Sequence, residues 1–175
     1  MKNISFRNDI LPLKNELFRL ALRITLNPAE AEDVVQETMI KVWNRREQWQ
    51  QIESIEAFCL TICRNTALDK NRKMANQSQS LDEGSHDAPD HSYSSNPEEQ
   101  AIQQDRIALV RRLIDSLPEK QRTIMLLRET EGKSYKEIAK ILDISEEQVK
   151  VNIFRARQTI KQRFQETEKY GLQIH

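Results

Sequence analysis

Residues 74–97 limit the possible folds of this chain more than any other stretch. The run from Met74-Ala75-Asn76-Gln77 to Ser94-Ser95-Asn96-Pro97 is rich in Ser, Asn, Asp and Pro, and its few apolar residues follow no period. Such a segment cannot bury enough apolar surface to offset the entropy of ordering it. It reads as a flexible linker, so the chain must fold as two units, 1–73 and 98–175, that can change relative position. With 3 Gly and 5 Pro in 175 residues, neither unit has the turn residues of a β fold. Gln, Glu, Lys, Arg, Leu and Ile dominate, and these favour helices. The expected fold is all-α, two helical domains joined by a linker.

The formal net charge is zero, but the charges are segregated. Residues 1–73 carry 12 Lys/Arg against 10 Asp/Glu, residues 74–104 none against 6, and residues 105–175 15 against 11. Two basic ends therefore flank an acidic middle. The start, Met1-Lys2-Asn3-Ile4, has no apolar run like a signal peptide's. No stretch approaches the roughly 18 apolar residues of a membrane span. The expectation is a cytoplasmic chain without membrane insertion. Cys59 and Cys63 lie four apart on one helical face, and His86 and His91 lie in the linker. Small thiols in a core are commoner than a zinc site split this way, so no metal or other cofactor is expected. A Gly-rich phosphate loop and a nucleophile motif are also absent from the sequence, which argues against an enzyme.

In the first unit, Asn27-Pro28-Ala29-Glu30 is a helix start, with Asn27 as cap and Pro28 at the first position. That helix should run to about Arg45, with Ala31, Val35, Thr38 and Val42 on its buried face. Asp33, Gln36, Glu37 and Ile40 fall at i, i+3, i+4 and i+7 on the other side. An isolated Ile among acids and amides has the makeup of a polar interface with an apolar anchor; an ordinary solvated face has the same pattern. A helix over roughly 8–26 precedes it, and a polar loop at 46–53 follows. A third helix, from Ser54 to about Lys73, is apolar nearly all round in its first half, so it should lie between the others. Its end is basic, with Arg64, Lys70, Arg72 and Lys73.

The second unit should begin with a helix over 98–115. Ser116-Leu117-Pro118-Glu119 starts the next, which Gly132 ends. Ser134-Tyr135-Lys136-Glu137 and Ser145-Glu146-Glu147-Gln148 are capping boxes on either side of the turn Asp143-Ile144-Ser145. Together they make a helix-turn-helix over 134–163. Val149, Ile153, Ala156, Ile160 and Phe164 form the inner stripe of the last helix, while Glu147, Val151, Arg155, Gln158 and Gln162 face away. From Gln148 to Gln165 there are five positive charges and no negative one. A capped N-terminus and a one-signed face suit phosphate and base edges in a major groove.

These segments together resemble the extracytoplasmic-function (ECF) sigma factors, the minimal two-domain branch of the primary sigma family, over nearly the whole chain. Ala31-Glu32-Asp33-Val34-Val35-Gln36-Glu37-Thr38 with Val42-Trp43 resembles the segment that docks on the clamp of RNA polymerase. Ile62-Cys63-Arg64-Asn65 with Asp69 and Arg72 resembles the helix that melts and reads the downstream promoter box. Leu117-Pro118, Arg122 and the run from Ser134 to Arg157 resemble the domain that reads the upstream box. The resemblance implies a transcription initiation factor whose partners are core RNA polymerase, promoter DNA and an anti-sigma factor.

Residue by residue, it implies polymerase contacts at Asp33, Gln36, Glu37 and Ile40. Downstream-box contacts fall at Trp49, Arg64, Asn65, Arg72 and Lys73, where Arg72 and Lys73 suit phosphate and Arg64 and Asn65 either meet DNA, exposed because a charge is costly in the core, or brace the local fold; upstream-box contacts fall at Glu147, Gln148, Lys150, Val151, Asn152, Arg155 and Arg157. Trp49 either stacks on an unstacked base or covers the core, and the sequence leaves both readings open. Phe58-Cys59 stands where the family has Trp-Leu, and Val151-Asn152 where it has a small polar residue and Arg or Lys. The competing reading is a regulator sharing only the C-terminal helix-turn-helix, and the motifs over 28–73 argue against it.

Overall fold

The computed structural model of the chain describes residues 3–77 and 97–173, and among these every regular element is helical. A distorted turn over Phe6–Leu13 leads into α1 (Lys14–Thr25), which is followed by α2 (Pro28–Asn44) and α3 (Ile55–Gln77). The second unit holds α4 (Pro97–Asp115), α5 (Glu119–Met125) with a wider turn over Leu126–Thr130, α6 (Tyr135–Leu142) and α7 (Glu146–Gln173).

The helix boundaries follow their local chemistry. The Asn27 side chain accepts from the amides of Ala29 and Glu30, at 3.0 and 3.2 Å. It satisfies two of the donors that a helix start leaves orphaned. Leu26 (φ 58°) closes α1 in the left-handed region, and Gly132 (φ 67°) ends the turn after α5. Arg46–Gln51 is a 3-10 turn where the sequence suggested an irregular loop. The N-terminal helix expected over 8–26 begins only at Lys14, after Pro12 has fixed a tight turn.

α3 runs to Gln77, four residues beyond Lys73. Met74-Ala75-Asn76-Gln77 contains no helix breaker, so an exposed helix simply continues through it. The expected linker thus gives up its first four residues to α3 and its last, Pro97, to the first position of α4. The expectation of flexibility falls on 78–96, outside the described residues, as do His86 and His91.

α1, α2 and α3 pack mutually, and α1 buries Leu17, Leu20, Ala21 and Ile24 at i, i+3, i+4 and i+7. Each such Leu or Ile contributes about 1.5–3 kcal/mol when fully buried. In the second unit α7 packs on α4, α5 and α6. The two units do not stand apart. α1 meets α5, α3 meets α6, and one continuous buried cluster joins Leu17, Leu60 and Cys63 to Ile124, Leu127 and Ile138.

α7 buries Val149, Ile153 and Ala156, while Ile160 and Phe164 are only half-buried. Its stripe therefore leaves the core after about three turns. Ile153, 3% exposed, is expected to lower stability by about 2–5 kcal/mol when replaced by Ala. Val151→Ala, at a 44% exposed position, should stay within about 0.5 kcal/mol. Thermal melts of the two full-length variants check this; equal melting temperatures would overturn the orientation of α7.

Candidate polymerase and nucleic-acid interfaces

The α2 stripe faces outward along its whole length. Asp33, Gln36 and Glu37 are exposed, and Ile40 is 60% exposed. A large aliphatic side chain left in water among acids and amides suits an anchor for a partner. Lys70 of α3 reaches across to Asp33 at 3.3 Å, Glu30 at 3.5 Å and Glu37 at 3.9 Å. Its pKa is raised, because the hydrogen bond and the charges of these acids outweigh its partial burial. The stripe is therefore braced from its own domain, a link the sequence spacing did not reveal. Trp43, at the end of α2, is 46% exposed, with Arg46 4.8 Å over its ring and Phe6 edge-on at 5.6 Å.

Trp49 sits in the core. It is 6% exposed, its indole N–H donates to the Val42 carbonyl at 3.0 Å, and its ring meets Trp43 edge-on. Of the two readings left open by the sequence, the structure realises core cover. In this structure Arg64 braces the fold. A charge is costly in the core, yet its side chain is only 12% exposed. Glu119 of α5 removes that cost, with two hydrogen bonds of 3.2 Å to the Arg64 guanidinium. Asn65, Arg72 and Lys73 are exposed as expected, and Arg72 pairs with Asp69 one turn back.

The helix-turn-helix forms as the caps suggested. Ser134 Oγ accepts from the Glu137 amide at 3.1 Å. Ser145 and Gln148 cap reciprocally, at 3.1 and 3.3 Å, with Asp143 (φ 56°) between the helices. Glu147, Lys150, Val151 and Arg155 are exposed on α7. Gln148 is committed to its cap, and Asn152 donates to the Gln148 carbonyl at 2.7 Å. Arg157 pairs with Glu129, which raises its pKa, so it braces the turn after α5. Tyr135 at the start of α6 carries Arg128 at 4.4 Å and Lys150 at 5.8 Å from its ring, a cation pair held beside the outer face of α7.

Phe154 was missed, although it is 64% exposed on that same face. At 100° per residue it lies within about 20° of Glu147, so the wheel that placed Glu147 outward could have found it. The partners of Arg64 and Lys70 carried no such signal, since Glu119 is 55 residues away and the three acids 33 to 40.

Two family models match the chain, Sigma-70 region 2 over residues 10–77 and Sigma-70 region 4 over 107–160. The ECF RNA polymerase sigma-E factor of Escherichia coli K12 is 32% identical over 142 residues, covering 78% of this chain and 74% of that protein. This chain belongs to the ECF sigma factors. Two further relatives align over comparable lengths of this chain. The RNA polymerase sigma-H factor of Pseudomonas aeruginosa is 29% identical, over 90% of this chain and 86% of the relative. The Xanthomonas campestris protein named "Probable RNA polymerase sigma factor RfaY" is 30% identical over 85% of this chain, which spans about 37% of that relative's length.

The fold is also that of a Bartonella quintana sigma factor, RpoE, solved with the anti-sigma factor NepR (TM-score 0.73, 22% identity, covering 90% of this chain and 94% of that one). These matches are to Sigma-70 regions and ECF factors; they do not carry the finer expectation of a branch of the primary sigma family.

In this ECF sigma factor both cysteines are buried and unpaired with each other. Burial pushes the Cys59 and Cys63 thiols up to about 12, and the Cys63 thiol donates to the Leu17 carbonyl at 3.4 Å. Both should resist a thiol-exchange reagent at pH 8 in the native chain and react on unfolding. Because the folded pKa lies above the unfolded one, their stabilising effect is complete below about pH 8.5 and is lost as pH rises toward 12. Thiol titration in buffer and in guanidinium checks this; rapid labelling of either cysteine in the folded chain would overturn it.

Proposed function

We propose that this chain directs core RNA polymerase to promoters and opens them, without chemistry of its own. In this reading the unit that ends with α3 at Gln77 serves polymerase binding and the downstream box, 78–96 tether it, and the unit that begins with α4 at Pro97 serves the upstream box. Asp33, Gln36, Glu37 and Ile40 form the polymerase contact. Asn65, Arg72 and Lys73 meet the downstream box, joined by Arg64 when its pair with Glu119 is broken. Lys150, Val151 and Arg155 read the upstream box, with Phe154 beside them. Glu147 borders this surface, Gln148 and Asn152 shape its leading turn, and Arg157, two turns on from Lys150, is held by Glu129.

The observation that carries the reading is the coexistence of two outward surfaces on one chain. One is an acid and amide stripe around an exposed Ile40, and the other is the cationic outer face of a capped helix-turn-helix. A regulator with an unrelated N-terminal sensor has no need of the first. An anti-sigma factor is the natural inhibitor, and a solved sigma factor of this fold, RpoE with the anti-sigma factor NepR, supports that partner; CnrH, solved with the cytosolic domain of CnrY, shares the fold (TM-score 0.64, 19% identity). The polymerase makes the RNA, which places the chain in the cytoplasm. No described helix is long and apolar enough to cross a membrane.

An Ile40→Asp/Gln36→Ala variant should remain folded and bind core polymerase roughly 5–30-fold more weakly, the usual effect of losing an interface anchor. Unchanged capture in a pull-down with core polymerase would sink the docking assignment. At the other end, Arg155→Ala should melt within about 0.5 kcal/mol of the parent, because the side chain is exposed. It should weaken promoter binding by about 1–3 kcal/mol at one base pair if it reads a guanine, or uniformly with a shallower salt slope if it holds phosphate. Binding titrations on promoter variants at several salt concentrations separate the two, and no loss on any of them removes Arg155 from the interface.

A further inference from the structure

The outer face of α7 holds two large apolar side chains in water, Val151 at 44% and Phe154 at 64% exposed. Three residues apart, they are neighbours on the helix surface. At 100° per residue Val151 stands almost opposite the buried stripe of Val149, Ile153 and Ala156, with Phe154 about 60° round from it. Lys150 lies roughly 40° beyond Phe154 on one side, and Arg155 roughly 40° beyond Val151 on the other. Glu147, one turn before Val151, is exposed in the same sector. A carboxylate pressed on the phosphate backbone would be repelled. The sector therefore suits base edges on the floor of a groove, with the flanking cations towards its phosphate walls.

The side chains near it that could read a base edge by hydrogen bonds are engaged elsewhere. Gln148 accepts from the Ser145 amide at 3.3 Å, Asn152 donates to the Gln148 carbonyl at 2.7 Å, and Arg157 pairs with Glu129. Lys150 is held 5.8 Å from the Tyr135 ring. What the centre of the face offers to the bases is hydrocarbon. One substituent on the major-groove edges is itself apolar, the C5-methyl group of thymine, and 5-methylcytosine presents the same group at the same place. Packed on an amine or a carbonyl, Val151 and Phe154 would strip it of water and return no hydrogen bond. Packed on a methyl group, they leave no polar atom unsatisfied and bury apolar surface on both sides.

We propose that Val151 and Phe154 read C5-methyl groups, so that the upstream box of this chain carries 5-methylpyrimidines at the base steps these two side chains meet. The inference rests on the upstream-box role proposed above and names what the recognition helix selects. Thymine supplies the methyl group by sequence, and 5-methylcytosine supplies it by modification. Cytosine methylation at those steps then strengthens binding instead of blocking it.

The test uses holoenzyme assembled from the full chain and core polymerase, which first selects its upstream box from promoter fragments randomised over that element. Each thymine of the selected box is then replaced by deoxyuridine, which removes the methyl group and keeps every hydrogen-bonding group. At one or two positions affinity should fall roughly fourfold, the factor for one buried methyl-sized group. Cytosine at the same positions should weaken binding, and 5-methylcytosine should bind roughly fourfold better than cytosine. Val151→Ser and Phe154→Ala should melt like the parent. Each should bind thymine and uracil alike at the position its side chain meets, and keep the discrimination at the other.

Uracil sensitivity that survives in both variants would arise from DNA shape and would overturn the proposal. A selected box that lacks thymine, or is indifferent to uracil at every thymine, would overturn it too. Such a box, still bound in an Arg155-dependent way, leaves the proposed function standing and removes methyl reading alone. If the holoenzyme selects no upstream box, both fall.

Discussion

The first half of α3 buries Cys59, Leu60, Ile62, Cys63, Thr66 and Ala67, and the rest of the molecule is arranged around that surface. α1 and α2 cover it within the first unit, and α6 packs against it from the second. A helix apolar on nearly every side can be satisfied only by neighbours all round. Its few polar groups are satisfied locally: Thr66 donates to the Ile62 carbonyl at 2.8 Å and accepts from Lys41 at 3.0 Å. The small side chains at 59, 63 and 67 let α1 and α2 approach closely, which fixes where the α2 stripe and the basic end of α3 emerge at the surface.

The need for cover also explains why the two units touch. Ile138, Ile141 and Leu142 of α6 serve both the helix-turn-helix and the shared core. Charge pairs border this contact, Arg19 with Glu131 and Arg23 with Asp115 among them, and each adds little strength. Arg23 shows the balance: burial lowers its pKa, and the nearby Asp115 only partly offsets that. An arginine keeps its charge through such a shift, whereas a lysine there would be easier to neutralise. The lysines of the interface differ from one another: Lys140 and Glu53 are 60% and 83% exposed, whereas Lys133 and Glu16 are 15% and 14% exposed.

On α7 the division of labour is made within single turns. Val149, Ile153 and Ala156 hold the helix down, while Val151, Phe154 and Arg155 stand out from it. The reciprocal cap at Ser145 and Gln148 fixes the leading turn, so the outward side chains inherit the rigidity of the core beneath them. Tyr135 adds a second support by holding Arg128 and Lys150 at its ring.

The sequence by itself determined the helices, their caps, the inner and outer faces of α2 and α7, and the family. All of these rest on periods of a few residues or on neighbours within one turn, where side-chain direction follows from helix geometry. Asn27, Ser134 and Ser145 cap where the sequence placed caps, and Ile40 and Val151 face water as the wheel required. Only the tertiary structure decided that Trp49 is covered, that Arg64 is paired with Glu119, that Lys70 braces the α2 stripe, and that the two units share a core. The reason is one of range. A buried charge looks forbidden until its partner is known, and the partners lie 33 to 112 residues away in sequence, brought near only by how the helices pack.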